Sequence, residues 1–183
     1  MNINWVIADA AELEPTQSVE TLKKLGAFWG SWRVWRAYQI DNVICHDQSK
    51  ANELLRRQFQ THCNFYIPEL VYNSLEQPAG VKIYAGDFVH DVDRQEEIVA
   101  LHLAATTSDI VLLLGFDLTK LKPNPDKLLA NRAQHYRNLV RTAFTQYSET
   151  QWVLVDHQGK LDPLVAECPN VVTDNLATVL DLV

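Results

Sequence analysis

Ser108-Asp109-Ile110-Val111-Leu112-Leu113-Leu114-Gly115-Phe116-Asp117 is the stretch on which the fold turns. Ile110 to Leu114 is a continuous, branched apolar run with no alternate polar position to face water. Such a run predicts a strand buried on both faces, as in the interior of a parallel sheet covered by helices on either side. Gly115 and Phe116 end it, and Asp117 stands just beyond.

On the N-terminal side, Ile98, Leu101 and Ala105 recur at helical spacing, preceded by Val81 to Ala85, a second buried strand closed by Gly86-Asp87. On the C-terminal side, Leu129, Ala133, Tyr136, Val140, Ala143 and Tyr147 form one stripe of a helix from about Pro125 to Tyr147, with Arg132, Arg137 and Arg141 away from it. Trp152 to Val155 then reads as a strand ending at Asp156.

The same punctuation extends to both termini. Trp5 to Ala8 is a short strand that stops at Asp9; Val19, Leu22 and Leu25 mark a short helix, with Gly26 as its stop. Asn42 to Cys45 ends at His46-Asp47, and Asp47 caps a helix whose face is Ala51, Leu54, Leu55 and Phe59. Phe65-Tyr66-Ile67 is an extended piece halted by Pro68, and Val171-Val172 ends at Thr173-Asp174 before Leu176, Val179 and Leu180. Alternation of strand and helix predicts one α/β domain over residues 1–183. Its expected form is three-layer and Rossmann-like, a mostly parallel sheet with helices on both faces. A length of 183 residues with 47% hydrophobic content suffices for one such core, and Glu76 to Gly80 and Lys120 to Asp126 are short enough to be loops within it.

Composition narrows the function classes. The apolar runs are far short of the roughly 20 residues needed to cross a bilayer, and the start lacks a secretory pattern, so a cytoplasmic, soluble protein is expected. Cys45, Cys63 and Cys168 are widely spaced and odd in number, which predicts reduced thiols rather than disulfides or structural zinc. A net charge of -7 disfavours nucleic acid and anionic membrane as partners and leaves small molecules or proteins. No P-loop, dinucleotide fingerprint, Gly-x-Ser-x-Gly elbow or His-Glu-x-x-His is present.

The chemistry-bearing residues gather at the strand ends: Asp9, Asp47, Asp87, Asp117, Asp156 and Asp174, with His46, His90 and His157 beside them. Ligands of open α/β sheets settle outside the carboxyl ends of the strands, so a rim of carboxylates there suits a divalent cation, ribose hydroxyls or a general base. Each aspartate has a second reading, a helix cap, to which Asp9, Asp47 and Asp174 are assigned. Asp87, His90, Asp91 and Asp117 are the catalytic candidates, and Asp87, Asp91 and Asp117 the candidate cation ligands; Asp93 caps the helix that follows them.

Phe28-Trp29-Gly30-Ser31-Trp32-Arg33-Val34-Trp35-Arg36 interleaves three tryptophans with two arginines. Aromatic and arginine side chains in this pattern serve stacking or a protein interface, so Trp29, Trp32, Arg33, Trp35 and Arg36 are the interaction candidates. The alternative is that the rings cover a sheet edge while the arginines reach water.

Residues 96–118, from Glu96-Glu97-Ile98 to Gly115-Phe116-Asp117-Leu118, resemble a segment of the archaeal 6-hydroxymethylpterin diphosphokinase-like family and the related bacterial sialyltransferases, in which a helix leads into a buried strand. A second similarity is to nucleoside deoxyribosyltransferase-like folds, where an acidic helix precedes a strand beginning Ser-Asp-Ile-Val. The glycine-rich nucleotide turn of the first family has no counterpart at Asp9 to Glu12. These resemblances imply a Rossmann-like enzyme or sensor for a nucleotide, nucleoside or sugar-nucleotide. The competing expectation is a non-catalytic assembly or interaction protein, of viral origin for example, that associates with itself or a partner through Trp29 to Trp35.

Overall fold

A computed structural model describes residues 1–9, 19–85, 95–116, 127–155 and 166–180. Eight strands form one sheet: β1 (Ile3–Ile7), β2 (Ala27–Ser31), β3 (Asn42–Ile44), β4 (Asn64–Pro68), β5 (Lys82–Tyr84), β6 (Ile110–Leu114), β7 (Gln151–Val155) and β8 (Val171–Asp174). Their order is β5-β4-β3-β2-β1-β6-β7-β8, and every pairing is parallel. From β1 the chain steps outward strand by strand to β5, then returns to lay β6 along the free side of β1. The order therefore reverses between β1 and β6, which pair in register from Ile3↔Ile110 to Ile7↔Leu114.

The interior strands are largely apolar on both sides because each side has its own helical layer. Side chains alternate between two cores: Val6, Val111, Leu113, Trp152 and Leu154 face one, while Trp5, Ile7, Leu112, Leu114, Val153 and Val155 face the other. Helices α5 (Gln95–Ala105) and α6 (Lys127–Gln146) cover the first face. The second is covered by α1 (Val19–Leu22), α2 (Trp32–Tyr38), α3 (Gln48–Arg56), a 3-10 turn (Phe59–Thr61), α4 (Glu69–Ser74) and α7 (Leu176–Leu180). This is the three-layer α/β architecture expected from the strand-helix alternation, with the sheet wholly parallel among the described residues.

Four local outcomes differ from the sequence reading. The tryptophan-arginine stretch divides at Ser31 into a strand and a helix, so β2 is a strand the periodicity did not reveal. The β5 strand is an edge strand with Lys82 and Ile83 exposed and only Tyr84 inside, not a strand buried on both faces. Asp174 does not cap α7: Asn175 Oδ1 accepts from Thr178 N at 2.8 Å, and Asp174 Oδ1 accepts from Asn175 N. Gly26 stands beyond α1 for reasons of space, because a Cβ there would lie 1.9 Å from the Ile3 carbonyl oxygen. No helix among the described residues is long and apolar enough to cross a membrane.

Candidate functional site

The carboxyl ends of β1, β2 and β3 bring a set of polar side chains together beneath the N-terminus of α5. Asp9 follows β1 by two residues, and the preceding Ala8 N–H donates to Leu114 O at 2.9 Å, which ties this turn to β6. Ser31 closes β2 and caps α2, its Oγ accepting from Arg33 N at 3.1 Å and Val34 N at 3.4 Å. Its hydroxyl proton goes to Asp9 Oδ1 at 2.5 Å, and Arg33 Nη1 lies 3.3 Å from Asp9 Oδ2. The Asp9 carboxylate is therefore held across two strand ends.

Helix α5 contributes two adjacent carboxylates from inside the molecule. It is buried almost all round, so Glu96 and Glu97 in its first turn are buried with it. Buried charge is costly unless paired, and the amide dipoles of a first helical turn favour it. Glu97 Oε1 accepts from Asp9 N at 2.8 Å, and its Oε2 accepts from Tyr136 OH at 2.5 Å. Glu96 points toward the end of β3, where His46 Nδ1 lies 2.9 Å from its Oε1; this is an ion pair by distance rather than a well-aligned hydrogen bond. Glu96 raises the His46 pKa above its ordinary value, an effect larger than the opposing desolvation and the Arg33 charge.

Two further groups border this pair. Cys45 is buried, its thiol pushed up to about 12 by burial first and the Glu96 charge second, and Sγ contacts Asp47 O at 3.6 Å. A thiol so held is protonated at neutral pH and is no nucleophile. Tyr84, at the end of β5, is 3% exposed, and its hydroxyl has no hydrogen-bond partner among the described residues. Burial raises its pKa most, with Glu96 and Cys45 adding to the effect.

Beside the rim, on α2 and α3, three cations surround one indole: Lys50 Nζ is 4.3 Å, Arg33 Cζ 5.0 Å and Arg36 Cζ 5.8 Å from the Trp32 ring. Trp32 and Trp35 are half-buried, Trp35 meeting Phe59 edge-on at 4.5 Å, whereas Trp29 lies inside the molecule against Tyr66. Of the five interaction candidates, Trp32, Arg33, Trp35 and Arg36 retain accessible surface, and Trp29 is core.

Asp87, His90, Asp91, Asp93, Asp117, Asp156 and His157 lie outside the described residues. Asp47 caps α3 as expected, accepting from Lys50 N at 2.6 Å. Asp9, assigned to capping, meets Ser31 and Arg33 with its carboxylate among the described residues; the turn it was expected to cap lies outside them. Among the described residues no three His, Cys, Asp or Glu side chains converge as a metal site. A groove of about 740 Å³, lined in part by Trp35, Asp41, His62 and Cys63, opens at the opposite edge of the sheet. It sits at the amino ends of β3 and β4, and its Lys23 and Asn64 side chains are bound within the protein.

Ser31, Glu96, Glu97 and Tyr136 were not among the sequence-derived candidates. A signal did exist for the glutamates: a Glu-Glu pair opening a helix that has no polar face must be carried into the interior with it. No family model matches the chain, and no curated protein or solved structure matches it significantly.

Proposed function

We propose that the chain is a Rossmann-like enzyme or ligand sensor that binds a nucleotide, nucleoside or sugar-nucleotide at the carboxyl rim of its sheet. The observation that carries this reading is the convergence of Asp9, Ser31, Arg33 and Glu97 from two strand ends and two helices, beside the reversal of strand order at β1 and β6. A reversal opens a crevice because the helices on its two sides depart to opposite faces, and side chains at that crevice meet the ligand. Carboxylates at a rim accept from sugar hydroxyls, and the exposed Arg33 guanidinium suits a phosphate.

The reading extends to Asp87, His90 and Asp91, which follow β5 in the chain, and to Asp117, next after Phe116. Asp87, Asp91 and Asp117 are proposed to recruit a divalent cation when a phosphate is bound. The resemblance of residues 96–118 to Rossmann-like families acting on nucleotides and sugar-nucleotides supports the same ligand class.

A ligand bound only by the folded state raises the melting temperature. Thermal shift with adenosine, AMP, ATP, UDP and UDP-glucose, each with and without magnesium, is expected to show a rise for at least one phosphate-bearing compound, lost in Arg33→Ala. A flat response across the panel contradicts the reading. A second reading is favoured by the half-exposed Trp32 and its three cations: association through the outer face of α2. It expects a sedimentation coefficient that grows with concentration and falls back in Trp32→Ala.

A further inference from the structure

Ligand binding leaves one rim group without a task. His46 keeps Nδ1 inside the molecule, 2.9 Å from Glu96 Oε1, while its side chain is 36% exposed and that of Glu96 only 3%. Nδ1 is on the buried side of a ring that is otherwise partly exposed. The buried carboxylate favours the proton of the neutral ring on the nearer nitrogen, Nδ1, which leaves the lone pair on Nε2, the tautomer a general base requires.

Two observations favour a phosphate-bearing substrate beside this ring. The buried Tyr84 hydroxyl is unpartnered among the described residues and lies close enough to Glu96 to feel its charge. An unmade hydrogen bond at a buried donor is expensive, so the hydroxyl is a group in want of an acceptor. Arg33, whose charge reaches His46, is 56% exposed, and with Arg36 and Lys50 it concentrates positive charge on a chain whose net charge is -7. A phosphate oxygen would give the hydroxyl an acceptor and Arg33 a second anionic partner beside Asp9.

We propose that His46 is the general base for hydrolysis of a phosphate-bearing ligand at this rim, with Glu96 as its positioning residue and Arg33 as the phosphate holder. Nε2 takes a proton from water as the water oxygen bonds to phosphorus. The bond from phosphorus to the leaving oxygen breaks with its electron pair, and that oxygen recovers the proton from Nε2. Cys45, next in sequence, is excluded as nucleophile by its protonated, buried thiol. The proposal rests on the ligand-binding reading above and deepens it.

The charged groups facing His46 are Glu96 from α5, Asp47 from the start of α3, and Arg33 from α2; the two carboxylates favour the imidazolium and Arg33 opposes it. The base form therefore accumulates above the ordinary histidine range, and Glu96→Gln moves the rising limb of kcat/KM to lower pH.

The test uses the full chain with AMP, ATP and UDP-glucose, adenosine serving as the phosphate-free control, with binding read by thermal shift and products by chromatography. Wild type is expected to hydrolyse a compound that raises its melting temperature. His46→Gln, altered at a partly exposed ring, is expected to keep that shift and lose roughly 100-fold or more in rate, and Glu96→Gln to show the displaced pH limb. Binding without hydrolysis by wild type, or a His46→Gln rate equal to wild type, overturns the proposal and leaves the binding reading standing. No shift with any compound overturns both.

Discussion

Glu97 shows what one buried carboxylate does for this molecule. Its two oxygens tie the turn after β1, through Asp9 N, to the middle of α6, through Tyr136 OH, so one side chain joins sheet, crossover helix and outer helix. Tyr136→Phe removes a donor from a buried carboxylate that water cannot replace, and hydrogen bonds to charged groups are worth about 1.5–3 kcal/mol. The variant is expected to lose about 2 kcal/mol in urea denaturation, with its midpoint lowered and its slope unchanged. An unaltered midpoint would show that the hydroxyl is not the carboxylate's support. At this scale the sequence was partly legible. His46 and Asp47 stood out because an apolar run stops at them, and Asp47 caps α3 for the local reason that a strand end meets a helix start. Glu97 did not stand out, because the backbone it meets at Asp9 lies 88 positions away and no spacing rule reaches that far.

At the scale of elements, what decides whether a segment could be read is whether it has neighbours on one side or both. The β6 strand and α5 were legible because both are surrounded, and an unbroken apolar composition has no other explanation. The segment 28–36 was not, because β2 passes into α2 at Ser31 with no loop between them, so neither a period of 2 nor one of 3.6 runs its length. Ser31 makes that junction possible by capping α2 while holding Asp9. The edge strand β5 misled in the opposite sense: Val81 to Ala85 looks like interior sequence, but among the described residues no strand lies beyond it. Gly26 belongs to the same scale, since it lets β2 start against β1. A methyl group there meets the Ile3 carbonyl oxygen at 1.9 Å and the carbon behind it at 2.6 Å, both backbone atoms that cannot rotate away. Gly26→Ala must separate two central strands at their start, and is expected to cost about 2–3 kcal/mol, in the range of an overpacked core. Thermal denaturation checks it, and a melting temperature within a degree of wild type would mean that the strands yield freely.

For the whole molecule, the strand-helix alternation made the layers legible but not the order of the strands, since the residues that end one strand are much like those that end another and such punctuation carries no address. Order comes from a single event, the return of the chain from β5 across the sheet to β6, and that return is what puts Asp9 at a crevice instead of at an edge. It also makes β1 and β6 the seam between a half-sheet of β2 to β5 and one of β6 to β8. If the seam were weak, the halves would melt separately; several features oppose this. The β1–β6 pairing is in register over the full length of both strands, the seam is buried on both faces, and α5, which precedes β6 in the chain, packs over β1, β2 and β3. Unfolding is therefore expected to be one transition. Ile67→Val in β4 removes a methylene from the core on one face, and Leu154→Ala in β7 opens a cavity on the other face in the opposite half. The first should cost about 0.5–1.5 kcal/mol and the second about 2–5 kcal/mol. With no shared partners, their effects should add in the double variant to within about 0.5 kcal/mol. Each should lower a common midpoint followed by tryptophan fluorescence and by far-UV circular dichroism. Two midpoints, one moved by Ile67→Val and the other by Leu154→Ala, would show that the sheet is two cooperative units meeting at β1, and the rim site would then lie on a boundary able to open.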